Sequence, residues 1–371
     1  MRTSLSRGDG PPPEGSGPQG GRQAQSCLLA TGRRAKARAA TPCSGRDRAT
    51  AGESAVAVYP PRFLGSDGPI GSDQKWHSPW EGADPLQYGN EGARWKKLVM
   101  TLAIGVAAGL LLTVAAIRLF ENSFIYFPPR FPEGFPPQDL YARHVEEVWL
   151  TTLDKVKVNA WFLPSPTSEK ALLWFHGNAE NVGYGLERLM FYSRLAVNVL
   201  AVDYRGYGKS EGSPDEAGVY RDADAAYDYL IQERHIQPKN IVVFGDSLGG
   251  AVAIDLASRR ECGGLIVQSS FTSAKDMARR LFRIPLFEYI PKSQFNSLAK
   301  IRQVRAPIFI VHGTRDEVVP FSMGQRLFKA GPEPKFFFPV EGAGHNDVVE
   351  VGGEDLLDHL KSFLEQHHEV C

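Results

Sequence analysis

Ser247, Asp316 and His345 have the types and the chain order needed to make a hydroxyl reactive. A serine hydroxyl is a weak nucleophile near neutral pH. It needs a base within hydrogen-bond reach, and the base needs a carboxylate to orient it. Ser247 sits in Gly245-Asp-Ser-Leu-Gly249, after the apolar run Ile241–Phe244 and before the apolar stretch Ala251–Ile254. A Gly-x-Ser-x-Gly between a strand and a helix is the setting of a nucleophile elbow, where glycines let the two elements approach closely. The pattern alone is weak, since 37 glycines in 371 residues give on the order of 0.3 matches by chance. Its flanks and its downstream partners give it weight.

Those partners come after two later strands. Ile308–Val311 runs into His312-Gly-Thr-Arg-Asp316, with Glu317 as a second carboxylate, and Asp316 is equally suited to capping the helix that follows. Lys335–Val340 runs into Glu341-Gly-Ala-Gly-His345. The order Ser, Asp, His differs from the orders of chymotrypsin-like and subtilisin-like enzymes and matches that of α/β-hydrolases. An oxyanion hole needs two amides. The amide of Leu248 follows the nucleophile, and the loop His176-Gly-Asn178 after strand Ala171–Phe175 offers the amide of Asn178. His176 and His312 also end strands; both read as loop supports rather than proton carriers.

Positioning these groups requires strands that alternate with helices. Val145–Thr151 and Val156–Phe162 read as an antiparallel hairpin. Strands follow at Ala171–Phe175, Asn198–Val202, Ile241–Phe244, Gly264–Gln268, Ile308–His312 and Lys335–Val340. Helices are expected over Asn181–Arg194, Pro214–Glu233, Phe321–Lys329 and Glu354–Gln366. Such alternation predicts a mostly parallel sheet with helices on both faces, and ligands then bind at the C-terminal strand ends. The excursion Ser273–Ala306 is short enough to make only a small cap over a rather open site. Arg279, Arg280 and Arg283 beside Leu281, Phe282, Leu286 and Phe287 read as a packed cap helix with a solvated basic face, with lipid contact as the alternative.

Residues 1–97 differ in kind. They are rich in Gly, Pro, Ser, Ala and Arg, and that composition predicts a disordered tail, with Arg33, Arg34, Lys36 and Arg38 as a solvated basic patch. Whether these residues belong to the natural product is left open. Leu98–Ile117 is an uncharged run of twenty residues, about 30 Å as a helix, so residues 98–120 read as a single transmembrane anchor. Arg94, Lys96 and Lys97 precede it against Arg118 and Arg130 after it, which puts the N-terminus inside and the catalytic domain on the outer face. Residues 121–140 form a connector rich in aromatics and proline, and 141–371 the catalytic domain. Lysine plus arginine equals aspartate plus glutamate, 42 each, so no global charge argues for nucleic acid. The four cysteines form neither a C-x-x-C pair nor a metal-like cluster.

His176-Gly-Asn178, Asp203-Tyr-Arg-Gly-Tyr-Gly-Lys-Ser210, Gly245-Asp-Ser-Leu-Gly-Gly250, His312-Gly-Thr-Arg-Asp316 and Gly344-His345 resemble the α/β-hydrolase superfamily. Glu121-Asn-Ser-Phe-Ile-Tyr-Phe-Pro128 resembles its membrane-anchored Bem-type branch, related to serine aminopeptidase-like and depalmitoylase-like hydrolases. The resemblance covers about residues 120–368 and implies an α/β-hydrolase fold. It also implies a serine hydrolase acting on an ester or thioester of a small-molecule or lipid-like substrate, with no metal or organic cofactor. An amidase or aminopeptidase-like activity, or an inactive hydrolase-fold scaffold at a membrane, are the alternatives. Substrate identity and oligomeric state are not specified by these motifs.

Overall fold

The computed structural model describes residues 85–131, 144–283 and 287–366. The chain divides into two units, Met1–Glu81 and Gly82–Cys371. The first lies outside the described residues, as do residues 82–84, and with them most of the tail expected to be disordered over residues 1–97; its last part, residues 85–97, is helical.

In the second unit α1 runs from Pro85 to Ile125, 41 residues or about 60 Å. Its apolar stretch is exposed apart from the half-buried Val114 and Ile117, with Leu110, Leu111 and Leu112 each more than 60% accessible. Glu91–Ile125 is long and apolar enough to cross a membrane. The helix extends past both ends of the uncharged run, so residues 121–125, expected in the connector, are helical.

Strands β1 (Glu146–Thr151) and β2 (Lys157–Leu163) form the expected antiparallel hairpin, in register Glu146 to Phe162. Then come β3 (Ala171–Phe175), α2 (Leu186–Ser193), β4 (Asn198–Val202) and α3 (Glu216–Gln232). Next are β5 (Ile241–Asp246), α4 (Leu248–Arg259) and β6 (Gly264–Gln268). The small cap follows as α5 (Ala274–Phe282) and α6 (Ser297–Lys300). The chain closes with β7 (Ile308–Gly313), α7 (Phe321–Ala330), β8 (Lys335–Val340) and α8 (Val348–Gln366). The eight strands lie in the order β1-β2-β4-β3-β5-β6-β7-β8. The pairs from β4 to β8 are parallel, and β1 and β2 attach antiparallel at one edge.

Successive strand residues face opposite sides of a sheet. Leu173 and Phe175 pack with residues of α3, α4 and α7, while Leu172 and Trp174 pack with residues of α2 and α8. Both faces are therefore covered, which is why β3 to β7 read as nearly continuous apolar runs.

Two helix boundaries moved for local reasons. Asn181 does not begin α2, because its Oδ1 accepts the amides of Gly183 and Tyr184, each at 3.1 Å, and makes a side-chain turn. The expected start at Glu354 follows a break in α8, where Gly353 adopts φ 46° and ψ −130°.

Candidate active site

Ser247 lies between β5 and α4 with φ 50° and ψ −108°, a strained setting for a residue with a side chain. The crowding is concrete. A Cβ at Gly249 would collide with the backbone carbonyls of Phe175 and His176, and one at Gly245 would collide with the backbone of Gly249. The Ser247 amide donates to Gln268 O at 2.9 Å, and Ser270 Oγ donates to Ser247 O at 2.7 Å. The turn is thus held while the side chain projects above the strand ends.

Residues far apart in sequence meet there. His345 Nε2 is 3.1 Å from Ser247 Oγ, and His345 Nδ1 is 2.8 Å from Asp316 Oδ2. An ionised Asp316 keeps the proton on Nδ1, leaving Nε2 to accept from the hydroxyl. Asp316 also does what its position suggested as a cap: its Oδ1 accepts the amides of Val318 at 3.0 Å and Val319 at 2.8 Å. Burial works against its charge. The bonds from His312 and His345 and the Val319 amide outweigh that and hold its carboxyl well below the usual carboxylate range. Glu317 does not take its place; its carboxylate lies beside Gly344.

The two strand-end histidines act as braces. His312 is fully buried, 2.9 Å from Val319 O and 3.3 Å from Asp316 Oδ2 through Nε2. His176 Nδ1 donates to Gly177 O at 2.7 Å, and its Nε2 is 3.3 Å from Asp203 Oδ1. Burial alone would lower the His176 pKa, but Asp203 reverses this and raises it. Tyr204 Oη donates to His176 O at 2.8 Å, and Tyr207 Oη donates to Asn178 Oδ1 at 2.7 Å. The Asp203–Ser210 stretch therefore supports the loop that carries Asn178.

That loop lies against the serine, since a Cβ at Gly177 would stand 3.7 Å from Ser247 Cβ. Leu248 is the first residue of α4, so its amide has no intrahelical acceptor. Leu248 and Asn178 line the same cavity as Ser247 and His345, a pocket of about 840 Å³. Its walls are largely apolar, with Phe271, Met277, Leu281, Phe295 and Val318 among them. Among the described residues no group of three or more His, Cys, Asp or Glu is placed to hold a metal ion.

Several site residues escaped the sequence reading. Asp246 is buried, accepts the Trp174 indole N–H and lies 3.8 Å from Arg188, which also pairs with Glu180. All three charged side chains border the pocket. Glu121, Phe124 and Phe127 border it as well, from the end of α1 and just beyond. The one available signal was helical spacing: Ile117, Glu121 and Ile125 recur every fourth residue and share a face.

Residues 166–300 match the family described as serine aminopeptidase, S33. The protein bem46 of Schizosaccharomyces pombe is 35% identical over 277 residues, covering 70% of this chain and 92% of its own. The human alpha/beta hydrolase domain-containing protein 17B is 38% identical over 210 residues, 54% of this chain and 68% of its own. Among solved structures, the Pyrococcus furiosus esterase Pf2001 matches with a TM-score of 0.55 at 25% identity, over 65% of this chain and 98% of its own.

Proposed function

This chain belongs to the Bem-type branch of the α/β-hydrolase superfamily, and we propose that it is a membrane-anchored serine hydrolase that cleaves an ester or thioester. One observation carries the reading: the unbroken path from Ser247 Oγ through His345 to Asp316, at 3.1 and 2.8 Å, opening into an apolar pocket. Ser247 attacks the carbonyl carbon as His345 takes its proton. Asp316 orients the imidazole and stabilises it once charged. The amides of Leu248 and Asn178 receive the oxyanion. His345 then protonates the leaving group, and a water repeats the sequence to free the acid and restore Ser247.

The wall chemistry favours an acyl chain over a polar substrate. The esterase likeness agrees with that choice, while the family description as a serine aminopeptidase keeps an amide bond as the second reading. We assign residues 98–120 to the membrane anchor, 121–140 to the connector and 141–371 to the catalytic domain on the outer face.

A fluorophosphonate probe tests the core of this assignment. It should label the folded protein and leave Ser247→Ala unlabelled. Equal labelling of both would exclude Ser247 as nucleophile, and failure to label the folded wild type would leave a scaffold.

A further inference from the structure

Part of the pocket around Ser247 comes from outside the hydrolase sheet. Ile117 and Phe124 of α1, with Phe127 just beyond it, line the cavity beside Met277 and Leu281 of the cap helix α5. Ile117 closes the uncharged run of twenty residues, so by length it sits where a bilayer core ends. Ile125 lies eight residues on, about 12 Å along the axis. The pocket wall therefore begins at the edge of the hydrocarbon and leads toward the serine.

This end of α1 is fastened to the site on two sides. Glu121, only 5% exposed, accepts the backbone amides of Lys292 and Ser293, both at 2.6 Å. Arg118 Nε donates to Ile290 O at 2.9 Å, so the helix also grips the segment after α5. Asn178, beside Ser247, donates from Nδ2 to Ile125 O at 2.6 Å and accepts the Phe127 amide at 3.1 Å. A helix serving only as a tether needs none of these bonds.

We propose that the end of α1 is a substrate-binding wall: it guides the acyl chain of a long-chain ester or thioester out of the bilayer that α1 crosses, and Ile117 and Phe124 set the chain length accepted. An acyl chain drawn from lipid into a cavity of similar polarity exposes little apolar surface to water on the way. Arg279 and Arg280 are exposed on α5; Arg279 pairs with Asp276 at 3.2 Å and Glu288 at 3.3 Å. The inference rests on Ser247 being the nucleophile.

The test uses the full chain reconstituted in phosphatidylcholine vesicles and a series of p-nitrophenyl esters from butyrate to palmitate. Ile117→Trp should lower the palmitate-to-butyrate ratio of kcat/KM by about tenfold, and Phe124→Ala should change that ratio too. Leu111→Trp, on the same helix but away from the pocket, should leave both rates unchanged. Palmitate ester in the enzyme's own vesicles should be cleaved about tenfold faster than ester in separate vesicles. An unchanged ratio in Ile117→Trp, or equal rates from the two vesicle arrangements, would overturn the proposal. Absence of fluorophosphonate labelling in the unmodified chain would remove the hydrolase reading itself, and the wall with it.

Discussion

The carboxylate of Asp246, next to Ser247, accepts the indole N–H of Trp174 at 2.7 Å through Oδ2, while among the described residues its Oδ1 has no hydrogen-bond partner. Burial pushes its pKa up to about 6 against the pull of Arg188 and the Trp174 bond. A half-satisfied buried carboxyl directly beside Ser247 makes this turn sensitive to its protonation.

The folded state therefore holds this proton more tightly than the unfolded chain does. Its contribution is fully present below about pH 4 and lost as the pH rises through about 6. The loss is on the order of 2–3 kcal/mol. Denaturant titrations across that window should show it, and Asp246→Asn should flatten the slope. A slope unchanged by the substitution would mean another group titrates there.

Asp316 has the opposite sign. Its folded pKa is depressed, so its stabilisation is present above the ordinary carboxyl range and lost as the pH falls below about 4. Asp316→Asn should remove that acid-side loss. It should also cut kcat by about 10⁴-fold, because His345 loses the acceptor that sets its tautomer. Near-normal kcat in a folded Asp316→Asn protein would break the orienting role.

Gly249→Ala should be far more damaging than its size suggests. The new methyl would meet the carbonyl oxygens of Phe175 and His176, which are backbone and cannot swing away. We expect a loss of about 2–3 kcal/mol in stability. Fluorophosphonate labelling should also slow, measured against Gly92→Ala on α1, whose Cβ would meet nothing within 4 Å.

Arg205 joins two carboxylates, bonding buried Asp222 at 2.9 Å and exposed Asp154 at 2.8 Å. Burial raises the Asp222 pKa, and only Arg205 offsets it. Arg205→Ala strands a buried charge and should destabilise by about 3–5 kcal/mol. The double variant with Asp222→Asn should recover a substantial part of that in thermal unfolding.

Membrane orientation is open to a separate measurement. A glycosylation acceptor introduced at the turn around Leu153, which is 89% exposed, should be modified when the protein is made with microsomes. Modification only near the N-terminus would reverse the topology.

Much of this was legible along the chain. The strands Ala171–Phe175, Asn198–Val202 and Gly264–Gln268 fall at their expected residues, because strands buried on both faces are unbroken apolar runs bounded by turn residues; the edge strand Lys335–Val340, only partly buried, was legible from its run of three phenylalanines. Ser247, Asp316 and His345 stood out because each follows such a run, at the end where parallel strands place their loops. Asp246 and Arg188 did not stand out, because a lone charge in a motif or helix shows nothing of its burial.

The order of the elements and the choice of Ser247, Asp316 and His345 as the proposed reactive groups thus came from local pattern: apolar periodicity, glycine placement and the types of three side chains. The rest was decided by contacts between residues distant in sequence. Glu121 meets Ser293 across 172 positions, and Asn178 meets Ile125 across 53. Such pairs form only after the sheet has brought the cap and the end of α1 to one rim. Their burial and hydrogen bonding exist only in the assembled fold, so no local pattern announces them.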